Sequence, residues 1–284
     1  MPPLLKLLRP RQWIKNAFVI APIFFAQQFA SVEAWLLTLS AAFAFALAAS
    51  AVYIFNDICD RKEDRLHPVK RLRPLASERV RIRYAVLIAL CCAVGSAMLL
   101  FELPLSCAWV VGLYVLLNIA YTLVLKHRAL LDVFFIAACF VLRVLMGCFA
   151  LSVMVSPWIL LTTFMLALFL GFGKRYHELG VEGYAEQKQN LQHYSRELLD
   201  RLVVICGGSA LVCYAIYTAD IANHTGNVNI VYTVAFVAFG LFRYLQSIYV
   251  YGQGGEPEAI ILRDKWQWLN IALWLVTTLL ILTV

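Results

Sequence analysis

Asn56-Asp-Ile-Cys-Asp-Arg-Lys-Glu-Asp-Arg-Leu-His-Pro-Val-Lys-Arg-Leu-Arg-Pro74 decides how this chain is read. It follows directly on an apolar run, Ala34 to Phe55, and it concentrates four acids and six bases in nineteen residues. On a helix Asn56, Asp57, Asp60 and Asp64 stand at i, i+1, i+4 and i+8, within one arc roughly 100° wide. Three carboxylates and an amide on one face repel each other unless a cation sits among them. Mg²⁺ suits such a face, because it is hard, takes oxygen ligands and keeps positions for water and phosphate. A solvated acidic helix end is the plain alternative. The position directly after a membrane-length segment and before Lys70, Arg71 and Arg73 favours the metal. His67-Pro68 then ends the helix, since the residue before proline is pushed out of the α region.

Outward from this stretch the chain is 62% hydrophobic and only 14% charged, far below the roughly 25% charged residues of soluble domains. Apolar runs long enough to span a bilayer recur throughout. They predict an all-α integral membrane protein, a single domain over 1–284, with nine helices near 13–30, 34–60, 82–101, 105–125, 130–151, 157–173, 201–219, 228–249 and 266–284. The basic, proline-containing start has no small-residue cleavage site after a short apolar core, so no cleaved signal peptide is expected. With the N-terminus in the cytoplasm, every Lys and Arg except Arg143 falls in the segments facing the cytoplasm, whereas the outer loops carry only Glu33, Glu102 and Asp220. That asymmetry is the positive-inside pattern. It predicts a multi-pass protein of the inner (plasma) membrane whose active site faces the cytoplasm.

The net charge of +7 belongs to these membrane-facing and phosphate-facing bases, so no nucleic-acid partner is expected. The eight cysteines have no Cys-x-x-Cys spacing and, apart from Cys59, lie in apolar runs. They read as small hydrophobes, neither disulfides nor zinc ligands.

Several further cations gather at the same level as the acids. Arg9, Arg11 and Trp13 read as an interfacial anchor, while Lys15 is placed to reach a phosphate at the cytoplasmic mouth. Tyr121 and Lys126 close the fourth expected helix, and Lys174, Arg175 and Glu178 close the sixth. Arg143 lies eleven residues beyond Asp132, about 16 Å along a helix. An arginine at that depth normally faces a partner or a polar cavity, here an anion-binding one. The stretch Tyr194 to Arg201 has the pattern of an interfacial amphipathic helix. The glycine-rich loop Tyr251 to Glu258 lacks the spacing of a nucleotide-binding loop.

Asn56-Asp57-x-x-Asp60-x-x-x-Asp64 at the end of a second spanning helix resembles the UbiA superfamily of intramembrane prenyltransferases, over essentially the whole chain. Within it, Arg9-Pro-Arg-Gln-Trp-Ile-Lys-Asn16, Asp64-Arg-x-His67-Pro-x-Lys70-Arg71-x-Arg73-Pro74, Tyr121-Thr-Leu-Val-Leu-Lys126 and Gly173-Lys174-Arg175-Tyr-x-Glu178-Leu are similar to the decaprenyl-phosphate phosphoribosyltransferase branch. The resemblance implies nine helices around a cavity open to the cytoplasm. It implies Mg²⁺ held by Asn56, Asp57, Asp60 and Asp64, and transfer of a 5-phosphoribosyl group from phosphoribosyl pyrophosphate to a polyprenyl phosphate. Lys70, Arg73, Lys126 and Arg175 would then hold donor phosphates, with Arg143 or Lys174 on the lipid phosphate. Quinone-type relatives carry a second Asp-x-x-x-Asp where this chain has Lys174 and Arg175. Glu178 and Glu182 keep transfer of a polyprenyl group to an aromatic acceptor as the alternative. A lipid-phosphate transporter is the non-enzyme alternative, and it leaves the acidic face unexplained. The lipid chain length and any oligomer stay open.

Overall fold

The computed structural model describes residues 2–66, 70–180, 189–255, 260 and 263–283. His67-Pro68, Glu182, Lys188 and Glu258 lie outside them. Among the described residues the elements are helical: α1 (Pro3–Leu7), α2 (Ala17–Ile20), α3 (Pro22–Phe25), α4 (Val32–Cys59), α5 (Arg61–Leu66), α6 (Ile82–Leu100), α7 (Leu105–Leu123), α8 (Leu131–Ala150), α9 (Pro157–Leu179), α10 (Arg196–Thr225), α11 (Val234–Tyr249) and α12 (Lys265–Thr283). Eight of the described helical stretches have the length and apolar composition to cross a membrane.

The segment expected as the first span is different. It is a 3₁₀ run, Pro10–Asn16, followed by the short α2 and α3. Pro22 offers no N–H to continue the ladder from α2, and Gly147 of α8 approaches this segment closely. A Cβ on Gly147 would lie 2.1 Å from the Val19 carbonyl oxygen. The chain is therefore held against α8 as bent pieces instead of one straight rod.

The chain packs as two units, Met1–Lys126 with Cys139–Met154, and His127–Ala138 with Val155–Val284. In the first, α4 is the central element. Ser31 caps it by accepting from the Ala34 N–H at 3.2 Å, and its alanines are largely buried against α6 and α7. In a bilayer the tails are as apolar as leucine, so close approach over small residues and interhelical hydrogen bonds must hold such a bundle. Both are present: a Cβ on Gly95 of α6 would lie 3.2 Å from Leu47 Cδ1 of α4, and Ser96 donates to the Ala44 carbonyl at 2.8 Å.

The N-terminal segment folds back along α4. Leu7 is fully buried beside Ile54 and Leu75. Trp13 donates to Ser50 at 3.1 Å, and Ser50 donates to the Leu8 carbonyl at 2.9 Å or the Ala46 carbonyl at 2.8 Å. These contacts carry Arg9 to the far end of α4. α4, α6 and α7 also border a groove of about 540 Å³, apolar along its length apart from Ser96. It reaches Phe55 and Ile58, and among the described residues its lining carries no charged side chain.

In the second unit α9 packs along α10, and a Cβ on Gly207 would meet the Phe169 ring at 3.0 Å. The expected amphipathic segment is no separate surface helix. Ser195 caps α10 by accepting from the Leu198 N–H at 3.1 Å, so Arg196–Arg201 are the first turns of a 30-residue helix that ends at Gly226, φ +75°.

Candidate active site

α4 ends at Cys59, yet the helical ladder carries on almost unbroken. The Asp60 N–H donates to the Asn56 carbonyl and the Asp64 N–H to the Asp60 carbonyl, both at 2.8 Å. Asn56, Asp57, Asp60 and Asp64 therefore keep the i, i+4 relation read from their spacing, and the site grows from that face. Asp57 and Asp64 are buried. Arg73 joins them: its Nη1 lies 3.1 Å from Asp57 Oδ1 and 2.7 Å from Asp64 Oδ2. Arg9 donates to the same Asp57 oxygen and sets its guanidinium over the Tyr53 ring, 5.2 Å from the centre. Lys70 Nζ lies 3.9 Å from Asp64 Oδ1.

Asp60 and Asn56 are engaged elsewhere. Lys126 Nζ lies 2.7 Å from Asp60 Oδ1 and 3.2 Å from Glu63 Oε2. Burial works against the Lys126 charge, but the Asp60 and Glu63 carboxylates outweigh it and hold the ammonium above its ordinary pKa. Thr122 donates to the Asn56 amide oxygen. Arg73 thus joins Asp57 to Asp64, whereas Asp60 pairs with Lys126. Four acids (Asp57, Asp60, Glu63, Asp64) interleave with four bases (Arg9, Lys70, Arg73, Lys126).

Among the described residues no three His, Cys, Asp or Glu side chains converge as a preformed metal cage. The reason is visible in the ion pairs: a guanidinium nitrogen stands between the two buried carboxylates. A cation already bridges them, and every donor is a hard oxygen. The donor set therefore fits a divalent cation such as Mg²⁺.

The other expected residues are dispersed. Lys15 Nζ sits over the Phe140 ring at 5.9 Å. Arg143 is buried, with Nε 3.3 Å from Asn16 Oδ1 and Nη1 2.8 Å from the Cys139 carbonyl. Its guanidinium lies among the rings of Phe45, Tyr114 and Phe140 at 4.9, 5.3 and 5.4 Å. Aromatic faces and neutral oxygens are thus the neighbours of the cation for which an anionic partner is expected. Tyr121 lies half-buried on the last turn of α7.

In the second unit Lys174 is half-buried on α9. Arg175 Nε lies 2.9 Å from Asp132 Oδ2, and Arg175 also bonds Glu178. Tyr194 accepts from the Leu130 N–H at 2.6 Å and donates to Asp132 Oδ1 at 3.2 Å. Burial, and then the Asp132 charge, push the Tyr194 hydroxyl well above its usual range. Arg175, expected to reach for donor phosphate, forms ion pairs here with two carboxylates of its own unit. Sequence reasoning missed Arg9 as an Asp57 partner, Glu63 beside Lys126 and Asp132 beside Arg175. Only Arg9 carried a signal, its place in the motif Arg9 to Asn16.

Comparison with known proteins agrees with this architecture. The UbiA prenyltransferase family model matches residues 17–283. The decaprenyl-phosphate phosphoribosyltransferase of Mycolicibacterium smegmatis is 34% identical over 92% of this chain and 86% of its own length. The protein of the same name from Corynebacterium glutamicum is 30% identical over 92% of this chain and 81% of its own. A UbiA homologue from Archaeoglobus fulgidus, solved with GPP and Mg²⁺, shares the fold with a TM-score of 0.74 at 17% identity, over the whole of both chains. The chain belongs to the UbiA prenyltransferase family.

Proposed function

We propose that this protein transfers the 5-phosphoribosyl group of phosphoribosyl pyrophosphate to a polyprenyl phosphate in the plane of the inner membrane, with its reactive end toward the cytoplasm. The observation that carries the reading is the mixed cluster at the end of α4, where buried Asp57 and Asp64 are interleaved with Arg9, Arg73 and Lys70. A site for a bare metal needs only the acids, and a site for a bare phosphate only the bases. A metal-bound diphosphate needs both. The relatives named decaprenyl-phosphate phosphoribosyltransferase supply the chemical class.

In the reaction the bond between ribose C1 and the diphosphate oxygen breaks, and the electron pair leaves with pyrophosphate. A new bond forms between C1 and an oxygen of the lipid phosphate, through an oxocarbenium-like state. Asp57 and Asp64 would hold Mg²⁺, which supplies charge neutralisation to the departing diphosphate. Asp60 and Asn56 complete the oxygen-rich face of the same helix. Arg9, Arg73, Lys70 and Lys126 bind and orient phosphate oxygens, with charge-assisted hydrogen bonds at their strongest where water is excluded. The acceptor is already an anion, so no side chain has to remove a proton from it. Lys15, Tyr121 and Arg143 of the first unit are assigned to the approach of the lipid phosphate, Arg143 through the aromatic wall it stacks on. The ion pairs of Arg175 and Glu178 favour this reading over a second metal site of the aromatic-acceptor type.

The test offers both donors to purified protein in lipid nanodiscs with Mg²⁺. One reaction contains ribose-labelled phosphoribosyl pyrophosphate and polyprenyl phosphate; the other contains labelled polyprenyl diphosphate and an aromatic acid. Label entering lipid in the first reaction and no product in the second is expected. The reverse pattern would return the protein to the aromatic-acceptor class.

A further inference from the structure

The arginine between the two buried carboxylates has a consequence for how substrate is admitted. Arg73 Nη1 holds Asp57 Oδ1 at 3.1 Å and Asp64 Oδ2 at 2.7 Å. A Mg²⁺ ion coordinating the same two oxygens would sit about 2.1 Å from each. One gap cannot hold both cations. The two carboxylates are 3% exposed, whereas the Arg73 side chain is 29% exposed, so the arginine is the partner with somewhere to go. Its backbone stays fixed: the Arg73 N–H donates to the Lys70 carbonyl at 2.9 Å, and its own carbonyl accepts from Ser77 N–H at 2.9 Å and Ser77 Oγ at 2.8 Å. A rotation of the side chain alone frees the oxygens, and it leaves five guanidinium donors at the mouth of the site.

We propose that Arg73 is an exchangeable counter-ion, which yields Asp57 and Asp64 to the incoming metal and transfers its own hydrogen bonds to the diphosphate that arrives with it. The proposal rests on the metal-diphosphate reading above. It makes Arg73 an antagonist of free metal and an ally of metal-bound diphosphate. Metal would thereby be held weakly until substrate is present. Arg9 also donates to Asp57, a second counter-charge for that carboxylate when Arg73 turns away.

The two roles separate in a direct binding measurement. Free Mn²⁺ is titrated by electron paramagnetic resonance against purified protein in nanodiscs, with and without inorganic pyrophosphate. Wild type, Arg73→Gln, Arg73→Lys and Asp64→Asn are compared. Without pyrophosphate, Arg73→Gln should bind Mn²⁺ roughly tenfold tighter than wild type, the worth of one charge-assisted hydrogen bond no longer in competition. Arg73→Lys, which keeps the charge but loses the fork, should fall between them, and it decides the matter if the glutamine variant does not fold. Pyrophosphate should tighten Mn²⁺ binding in wild type and do so much less in Arg73→Gln. Equal or weaker Mn²⁺ binding in both arginine variants overturns the exchange while leaving the metal site standing. A wild type whose Mn²⁺ binding is untouched by Asp64→Asn overturns the metal site and the exchange together.

Discussion

Two regions of this molecule set arginine against carboxylates, and they differ in what the pairing is for. At the end of α4 the carboxylates of Asp57 and Asp64 are 3% exposed, while Arg9 and Arg73 are 27% and 29% exposed. The bases there form the outer, more exposed layer. In the second unit the whole group is sealed: Arg175 is 8% exposed, Glu178 6% and Asp132 not at all. An ion pair in that position has no water to fall back on, so breaking it leaves an uncompensated charge. On the proposed reading the first region exchanges ligands and the second holds a helix end in place. Acid and base content alone does not separate them; the exposure of the base does.

Removing either acid of the exchanging region should have the largest effect. Asp57→Asn is expected to cut turnover by roughly a hundred- to a thousandfold, the loss typical of deleting one electrostatic element of a transition state, with little change in melting temperature. A comparable loss of melting temperature would move Asp57 into the structural class and erase the contrast.

Arg175→Ala should show the opposite profile. It is expected to cost about 3–5 kcal/mol of stability, because two buried carboxylates lose their shared partner. Thermal unfolding in detergent reads this, and a further change of Asp132→Asn with Glu178→Gln should recover much of the loss. A stable Arg175→Ala protein with a raised KM for phosphoribosyl pyrophosphate would show instead that Arg175 handles substrate.

Arg9→Ala should come next in size, weakening diphosphate binding by about 1.5–3 kcal/mol, as a charge-assisted hydrogen bond does. Inhibition by inorganic pyrophosphate measures it: the inhibition constant should rise while unfolding shifts little. Unchanged inhibition would make Arg9 only an anchor of the N-terminal segment.

Lys126 should give the smallest effect and a pH signature. Its pKa is raised in the folded protein, so its contribution to stability is complete below the ordinary lysine pKa and is lost as pH rises through the raised one. Lys126→Gln should therefore lower the melting temperature by a constant small amount between pH 6 and 9, with the gap closing in strong alkali. A gap that already closes near neutrality would mean that Asp60 and Glu63 do not hold the ammonium.

Much of this was legible in the sequence, for a physical reason. Apolar runs of bilayer length and an i, i+4, i+8 acid spacing are local signals, and helices preserve local spacing. Eight expected spans and the placing of Asp57 and Asp64 on one face follow from that alone. The rest depends on contacts that periodicity does not encode. Arg9 reaches Asp57, 48 residues away, through a left-handed backbone at φ 49° and a fold-back along α4. Arg143 faces aromatic rings because Phe45 and Tyr114 come to it from other helices. Asp132 and Arg175 are 43 residues apart, and neither position hints at the other. The first expected span breaks where Pro22 and the close approach of Gly147 meet, a coincidence visible only in three dimensions.

The contrast between the two regions can be read in one map. Crystals grown with Mn²⁺ and inorganic pyrophosphate, measured at the manganese absorption edge, should show an anomalous peak between Asp57 and Asp64, with Arg73 turned from both carboxylates onto the diphosphate. No peak is expected beside Asp132 and Glu178. A metal bound at Glu178 with Asp57 still clasped by Arg9 and Arg73 would contradict the account.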